Sequence, residues 1–172
     1  MKKLIIAAII LTLFFKVNSV RAQEIVSGSA SLNSVAIYSY DKDYRSIRLE
    51  SYLNSHNSPL SQYSSNIVYY SDVYNLDWRL IPAITGVEST FGKNIPSNSY
   101  NAYGWAGGKF YFKSWDDSIQ HVSMSLKENY FDRGLTTTFK IARVYAPPSK
   151  TWAWKVNYFI NQIDPNPIEF DL

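Results

Sequence analysis

The chain contains no cysteine. That removes disulfides, thiolate metal sites, thiol nucleophiles and lipid-modified cysteines at once. Histidine is nearly missing as well. His56 and His121 are the only two, too few for a histidine-rich metal centre, and no cofactor motif is present. Glycine and proline stand at seven each in 172 residues, so the composition is neither fibrous nor low-complexity. No segment recurs at a period of about 20–50 residues, which excludes a repeat architecture.

A surplus of one charge is also missing once the N-terminus is read. The whole chain carries a net charge of +3. Lys2 and Lys3 precede an apolar run from Leu4 to Phe15, Lys16 interrupts it, and Val20-Arg21-Ala22 offers small residues at a cleavage site. This pattern predicts a secretory signal peptide over residues 1–22, too short in its apolar part for a strong membrane span. Its removal takes away Lys2, Lys3, Lys16 and Arg21, leaving 13 basic and 14 acidic residues and a net charge of −1. The charge argument for a nucleic-acid partner then fails. What is plentiful is aromatic: 14 Tyr, 9 Phe and 5 Trp in an exported, nearly neutral chain.

Residues 23–42 are Ser-rich and read as a tether, with Ser34–Tyr40 as a possible edge strand. Residues 43–163 read as one domain, and 164–172, with Pro165 and Pro167, as an irregular tail. Within the domain, helical periodicity recurs. A weakly patterned helix is expected over 43–54. Ser58 and Pro59 suit the start of another, with Leu60, Tyr63, Ile67 and Tyr74 on one face. Leu80, Ile84, Val87 and Phe91 form a stripe after Asp77, with Gly92 as a left-handed terminator. Pro82 demands either a kink or a helix whose regular part starts near it. Ser114 and Asp117 resemble a capping box ahead of the stripe Trp115, Ile119, Val122 and Leu126. A short helix is expected over 135–144, and Ser149 is placed to cap the last one, with Trp152, Val156, Phe159 and Ile163 inward. Residues 103–112, with Gly107-Gly108 in the middle, read as a β-hairpin. The fold class expected is therefore α+β, mainly α, with one small β lobe.

Glu88 is the only charged residue from Leu80 to Gly92. On a helical wheel it falls at about 80°, between Ile84 at about 40° and Ile81 at about 100°. A carboxylate held against isoleucines is partly desolvated, which disfavours its ionised form and suits a general acid. The plain alternative is a half-solvated boundary glutamate. Beyond it lie a Ser/Asn loop containing Ser99 and Asn101, then the aromatics Tyr103 and Trp105. An acid, amides and hydroxyls, and aromatic faces are what a polysaccharide cleft uses.

The run from Tyr74 to Ile163 resembles bacterial cell-wall glycosidases of the lysozyme-like superfamily. Among these are endo-β-N-acetylglucosaminidases and lytic transglycosylases. The matching pieces are LIPAITGVESTFGK (80–93), SYNAYGW (99–105), the hairpin, FKSWDDSIQHVSMSL (112–126) and YAPPSKTWAWKVNYFINQI (145–163). They lie within about 90 of the 150 residues after position 22, and Asn101 stands thirteen residues past Glu88. The resemblance implies a lysozyme-like helical domain with a β-hairpin lobe beside a cleft. It implies that Glu88 is the catalytic acid, and that Tyr145 sits across the cleft, orienting an N-acetyl group or stabilising positive charge. It also implies that peptidoglycan glycan strands are the partner.

Several assignments stay open on the sequence. Tyr145 is equally a core or loop tyrosine packed by Pro147 and Pro148. Asn101 binds a sugar or staples the loop, and Tyr103 and Trp105, alternating on a strand, share a side that faces either cleft or core. Trp115 and Trp152 belong to helical stripes and read as core, and His121 lies on the solvent side of its helix. Glycoside cleavage ordinarily uses two carboxylates. Asp77, Asp116 and Asp117 are better explained at helix N-termini, and Lys93 to Phe112 holds no acid. That absence suits lytic transglycosylases, which work with one glutamate. A non-catalytic glycan-binding or cell-surface structural domain is the alternative from another class.

Overall fold

A computed structural model describes residues 43–165. The expected signal peptide (1–22), the tether (23–42) with its edge strand, and tail residues 166–172 lie outside the described residues.

The described chain is helical. Six α-helices run α1 (Tyr44–Ser55), α2 (Ser64–Val73), α3 (Leu80–Ser89), α4 (Trp115–Asn129), α5 (Thr138–Tyr145) and α6 (Trp152–Ile163). Short 3₁₀ turns stand at Ser61–Tyr63 and Phe131–Arg133. Helix α3 packs along α6 and touches α4; α1 lies on α2, α2 on α4, and α5 on α6. Leu80, Ile81, Pro82, Ala83, Ile84 and Thr85 are all buried. A helix apolar on every side belongs in the interior, and α3 is the centre of the domain.

Local chemistry sets the helix ends. Asp43 caps α1 by accepting from the Arg45 N–H at 2.8 Å, and Arg45 also bridges to Asp72 on α2. Pro82 is the third residue of α3, where its missing N–H had no intrahelical partner to lose. The Ser58 hydroxyl accepts from the Leu60 N–H, but α2 starts only at Ser64 after the 3₁₀ turn. Ser114 caps α4 by accepting from the Asp117 N–H at 3.1 Å, while the Asp117 carboxylate accepts from the Lys113 N–H. Thr137 caps α5, and Ser149 accepts from the Trp152 N–H at the head of α6. The carbonyl end of α6 receives Arg48 at Ile163 and Arg79 at Asp164, cations at the negative pole of a helix.

The expected β lobe is corrected: among the described residues there is no strand. The aromatic alternation over 103–112 satisfied a strand pattern, but the backbone there is a series of turns. Gly104, Ala106, Gly107 and Gly108 all have φ between 52° and 80°, and the Gly108 N–H reaches both the Gly104 and Trp105 carbonyls. The two limbs are joined by a side chain instead of a ladder. The Asn101 amide donates to the carbonyls of Trp105 (2.9 Å) and Phe110 (3.0 Å) and accepts from the Trp105 N–H (2.9 Å). One backbone bond, from the Phe112 N–H to the Ser99 carbonyl, closes the loop. The fold class is therefore helical over the described residues, not α+β.

Helix α3 ends in a reversal. Thr90, Phe91 and Gly92 are all left-handed, at φ 54°, 60° and 81°, so the expected glycine terminator is the third of three. Each non-glycine residue there costs about 1–2 kcal/mol. The Phe91 N–H bonds the Thr85 carbonyl at 3.0 Å, and the Phe91 carbonyl accepts from the Ser58 hydroxyl at 2.8 Å. Phe91 thereby leaves the helical stripe and folds back over Gly86. Its ring meets Tyr52, His56 and Phe159.

Gly86 is what admits that ring. A Cβ at Gly86 would stand 2.7 Å from Phe91 Cε1 and 3.0 Å from Phe159 Cδ2. Alanine gains about 1 kcal/mol of helix propensity over glycine, while overpacking a core costs about 1–3 kcal/mol. Because three rings hold Phe91 from behind, the second effect prevails. Gly86→Ala is expected to lose about 1 kcal/mol of stability by urea unfolding; a raised midpoint would show that the ring moves aside.

Candidate functional site

Ser89, the last residue of α3, is 3% exposed. Its hydroxyl donates to the Ala102 carbonyl at 2.7 Å and accepts from the Gly92 N–H at 2.9 Å. The helix end, the left-handed turn and the 101–112 loop are thus tied at one atom. Glu88, the residue before, lands beside Gly104: a Cβ at Gly104 would stand 2.9 Å from Glu88 Oε2. Its other oxygen, Oε1, accepts from the Trp152 indole N–H at 2.7 Å.

Trp152 stacks on Tyr145, with ring centroids 5.0 Å apart and planes at 30°. The Tyr145 hydroxyl donates to the Tyr103 carbonyl at 2.6 Å. Burial pushes the Tyr145 phenol well above its ordinary value, and the nearby Glu88 charge adds to the shift. Tyr145 is therefore a neutral O–H donor. An open cleft of about 270 Å³ lies alongside, lined by Tyr103, Gly104, Trp105, Ala106, Gly107, Tyr130 and Tyr145. None of these is acidic; Glu88 is not among them and reaches the lining through Gly104.

The residues singled out by sequence are distributed as follows. Glu88 and Tyr145 meet through Trp152. Glu88 is exposed, which corrects the expected shielding by Ile81 and Ile84; those isoleucines are fully buried behind it. Ser99 is 0% exposed, with its hydroxyl accepting from the Asn101 N–H at 3.2 Å. Asn101 is 2% exposed and is the loop staple described above. Tyr103 and Trp105 do not share a side, because the left-handed Gly104 between them breaks strand alternation. The Tyr103 ring is buried, its hydroxyl 3.5 Å from the Ser118 hydroxyl. Trp105 is half-buried and meets His121 edge-on at 5.8 Å.

His121 is also half-buried, among Trp105, Phe110 and Phe112, because the loop folds over the α4 face expected to meet solvent. His56 packs on Tyr52 and Phe91. Asp77 pairs with Arg79, and Asp116 accepts from Asn66 at 2.5 Å. Among the described residues no cluster of acids and histidines suits a metal, and no helix is long and apolar enough to cross a membrane.

Three contributors were missed. Trp152 is core at 3% exposure, as its helical stripe implies; its indole N–H bond to Glu88 is the added role. Tyr130 continues the α4 stripe four residues past Leu126 and lines the cleft. Gly104 looked like part of a strand, and its missing side chain leaves room for the carboxylate.

No protein-family model matches the chain, and no curated protein matches it.

Two outcomes are expected. Asn101→Ala removes three hydrogen bonds and costs about 2 kcal/mol, with hydrogen exchange accelerating in residues 101–112 before the helices; uniform acceleration would contradict the staple role. Burial also raises Tyr52, to about 12, and Tyr103 and Tyr130 above their ordinary 10. A phenol raised on folding favours the folded state fully below the unfolded value, and that stability is lost as pH rises above it. Stability should therefore hold up to about pH 10 and fall beyond it, with the resonances of Tyr52, Tyr103 and Tyr130 shifting to the tyrosinate form only together with loss of helix. Ionisation of these tyrosines in the intact fold would contradict the assignment.

Proposed function

We propose that the protein is a secreted peptidoglycan glycosidase. It cleaves β-1,4 bonds between N-acetylglucosamine and N-acetylmuramic acid with Glu88 as its single catalytic carboxylate. The observation that carries the reading is the position of Glu88: at the end of a buried helix, oriented by an indole N–H, and against Gly104, which lines an aromatic cleft whose lining holds no acid. The resemblance over residues 74–163 points the same way. The N-terminal pattern of residues 1–22 supports export to the periplasm or beyond the cell.

In this reading Glu88 protonates the bridging oxygen as the C1–O bond breaks. With no second carboxylate in the cleft lining, the anomeric carbon is captured by the substrate itself. The C6 hydroxyl of N-acetylmuramic acid closes onto C1 and returns its proton to the Glu88 carboxylate, giving a 1,6-anhydro product, as in lytic transglycosylases, or the N-acetyl group attacks first. Glu88 is exposed in the free protein, so its shielding comes from the glycan. A strand lying over the carboxylate displaces water and disfavours the ionised form. Tyr145, a neutral phenol held on the Tyr103 carbonyl, forms part of the cleft wall. Ser99 and Asn101 act by shaping the loop.

The exposure of Glu88 also suits a second reading, a glycan-binding domain without turnover. Glu88→Gln separates the two. A general acid contributes about 10²–10⁴-fold in rate, so lysis of purified cell walls should fall by that factor while wall binding persists. Binding without lysis by the wild type would favour the second reading, and equal lysis by both proteins would remove Glu88 from the mechanism.

A further inference from the structure

The two oxygens of Glu88 have unlike neighbours. Oε1 accepts from Trp152 Nε1 at 2.7 Å. Oε2 faces Gly104, with no side chain between it and the cleft-lining backbone. An indole N–H is a donor only, so Oε1 must act as an acceptor for the bond to persist. The carbonyl oxygen of a neutral carboxyl is a better acceptor than its hydroxyl oxygen, so the indole bond favours the proton on Oε2.

Trp152 has little freedom to release that bond. It is 3% exposed, its backbone N–H is held by Ser149, and its ring lies against Tyr145. Tyr145 is anchored on the Tyr103 carbonyl, one residue before Gly104. The same chain of contacts that fixes the indole also fixes the backbone facing Oε2.

We infer that Trp152 is a positioning residue which makes Oε2, the oxygen beside the cleft-lining Gly104, the single proton-exchanging oxygen of Glu88. This rests on the glycosidase reading above. The step balances without a co-reactant: the proton leaves Oε2 for the bridging oxygen, the C1–O pair goes to that oxygen, the C6 hydroxyl oxygen bonds C1 and its proton returns to Oε2, while Oε1 keeps the indole N–H throughout. Glycine at position 104 follows from the same geometry, because a Cβ there would crowd Oε2 at 2.9 Å.

The test has a part that needs no substrate. In the wild-type protein the Trp152 indole N–H resonance is followed through the titration of the Glu88 carboxyl carbon. The two should move together, since the donor senses the charge on its acceptor. An indole signal indifferent to that titration overturns the inference. The second part uses Trp152→Phe, which keeps a ring against Tyr145 and removes the donor. On soluble glycan strands kcat should fall by about 10–100-fold, the worth of a hydrogen bond to a charged group, with KM little changed. Losing a donor to the ionised form favours the protonated acid, so the alkaline limb of the rate profile should move to higher pH. A lower melting temperature and higher KM with an unmoved profile would make Trp152 merely structural and overturn the inference. Coupled resonances in a wild type that cleaves no glycan would support the oxygen assignment and overturn the glycosidase reading instead.

Discussion

The Ser89 hydroxyl joins three segments that the sequence keeps apart. As acceptor it holds the Gly92 N–H, and as donor it holds the Ala102 carbonyl. The first bond supports a turn of three successive left-handed residues. The second brings the 101–112 loop against the end of the central helix. Glu88 precedes Ser89 by one residue, so its place beside Gly104 follows from that junction. An alanine at 89 would leave a buried N–H and a buried carbonyl without their partner, and each such loss costs about 1–3 kcal/mol.

The helical part of the fold was legible because its signals are local. Ser114 and Ser149 act where helix starts require a side-chain acceptor. Pro82 sits in a first turn, and the stripes through Ile119, Val122 and Leu126 and through Trp152, Val156 and Ile163 are buried. Asp77, Asp116 and Asp117 all sit at or near helix starts. The loop was not legible. Alternating aromatics with Gly-Gly between them satisfy a strand pattern, and nothing local announces that Asn101 will bond Trp105 and Phe110 in place of a ladder. Tyr103, Trp105 and His121 were misplaced for that one reason.

The candidate site was legible in part. Glu88 stood out because it is the lone charge on an apolar helix, and Tyr145 was singled out through the family resemblance. Their connection through Trp152 spans 64 residues, and no spacing rule reaches that far. The helical wheel gave the direction of Glu88 relative to the isoleucines but not the point at which neighbouring elements stop. The carboxylate therefore emerges exposed beside a cleft, held by one indole and one glycine, with the isoleucines closing the core behind it.

Such a site depends on its ligand to complete it. The protein supplies an indole N–H at Oε1, a neutral phenol in the cleft wall and a cleft lining without an acid; in the proposed function the glycan is what excludes water and captures C1. The mass of the products released from a defined peptidoglycan strand tests this most directly. The account predicts cleavage between the two amino sugars, with anhydro ends one water lighter than a hydrolytic product, or intact reducing ends where the N-acetyl group assists. A strand that binds and is recovered at its original mass would contradict it.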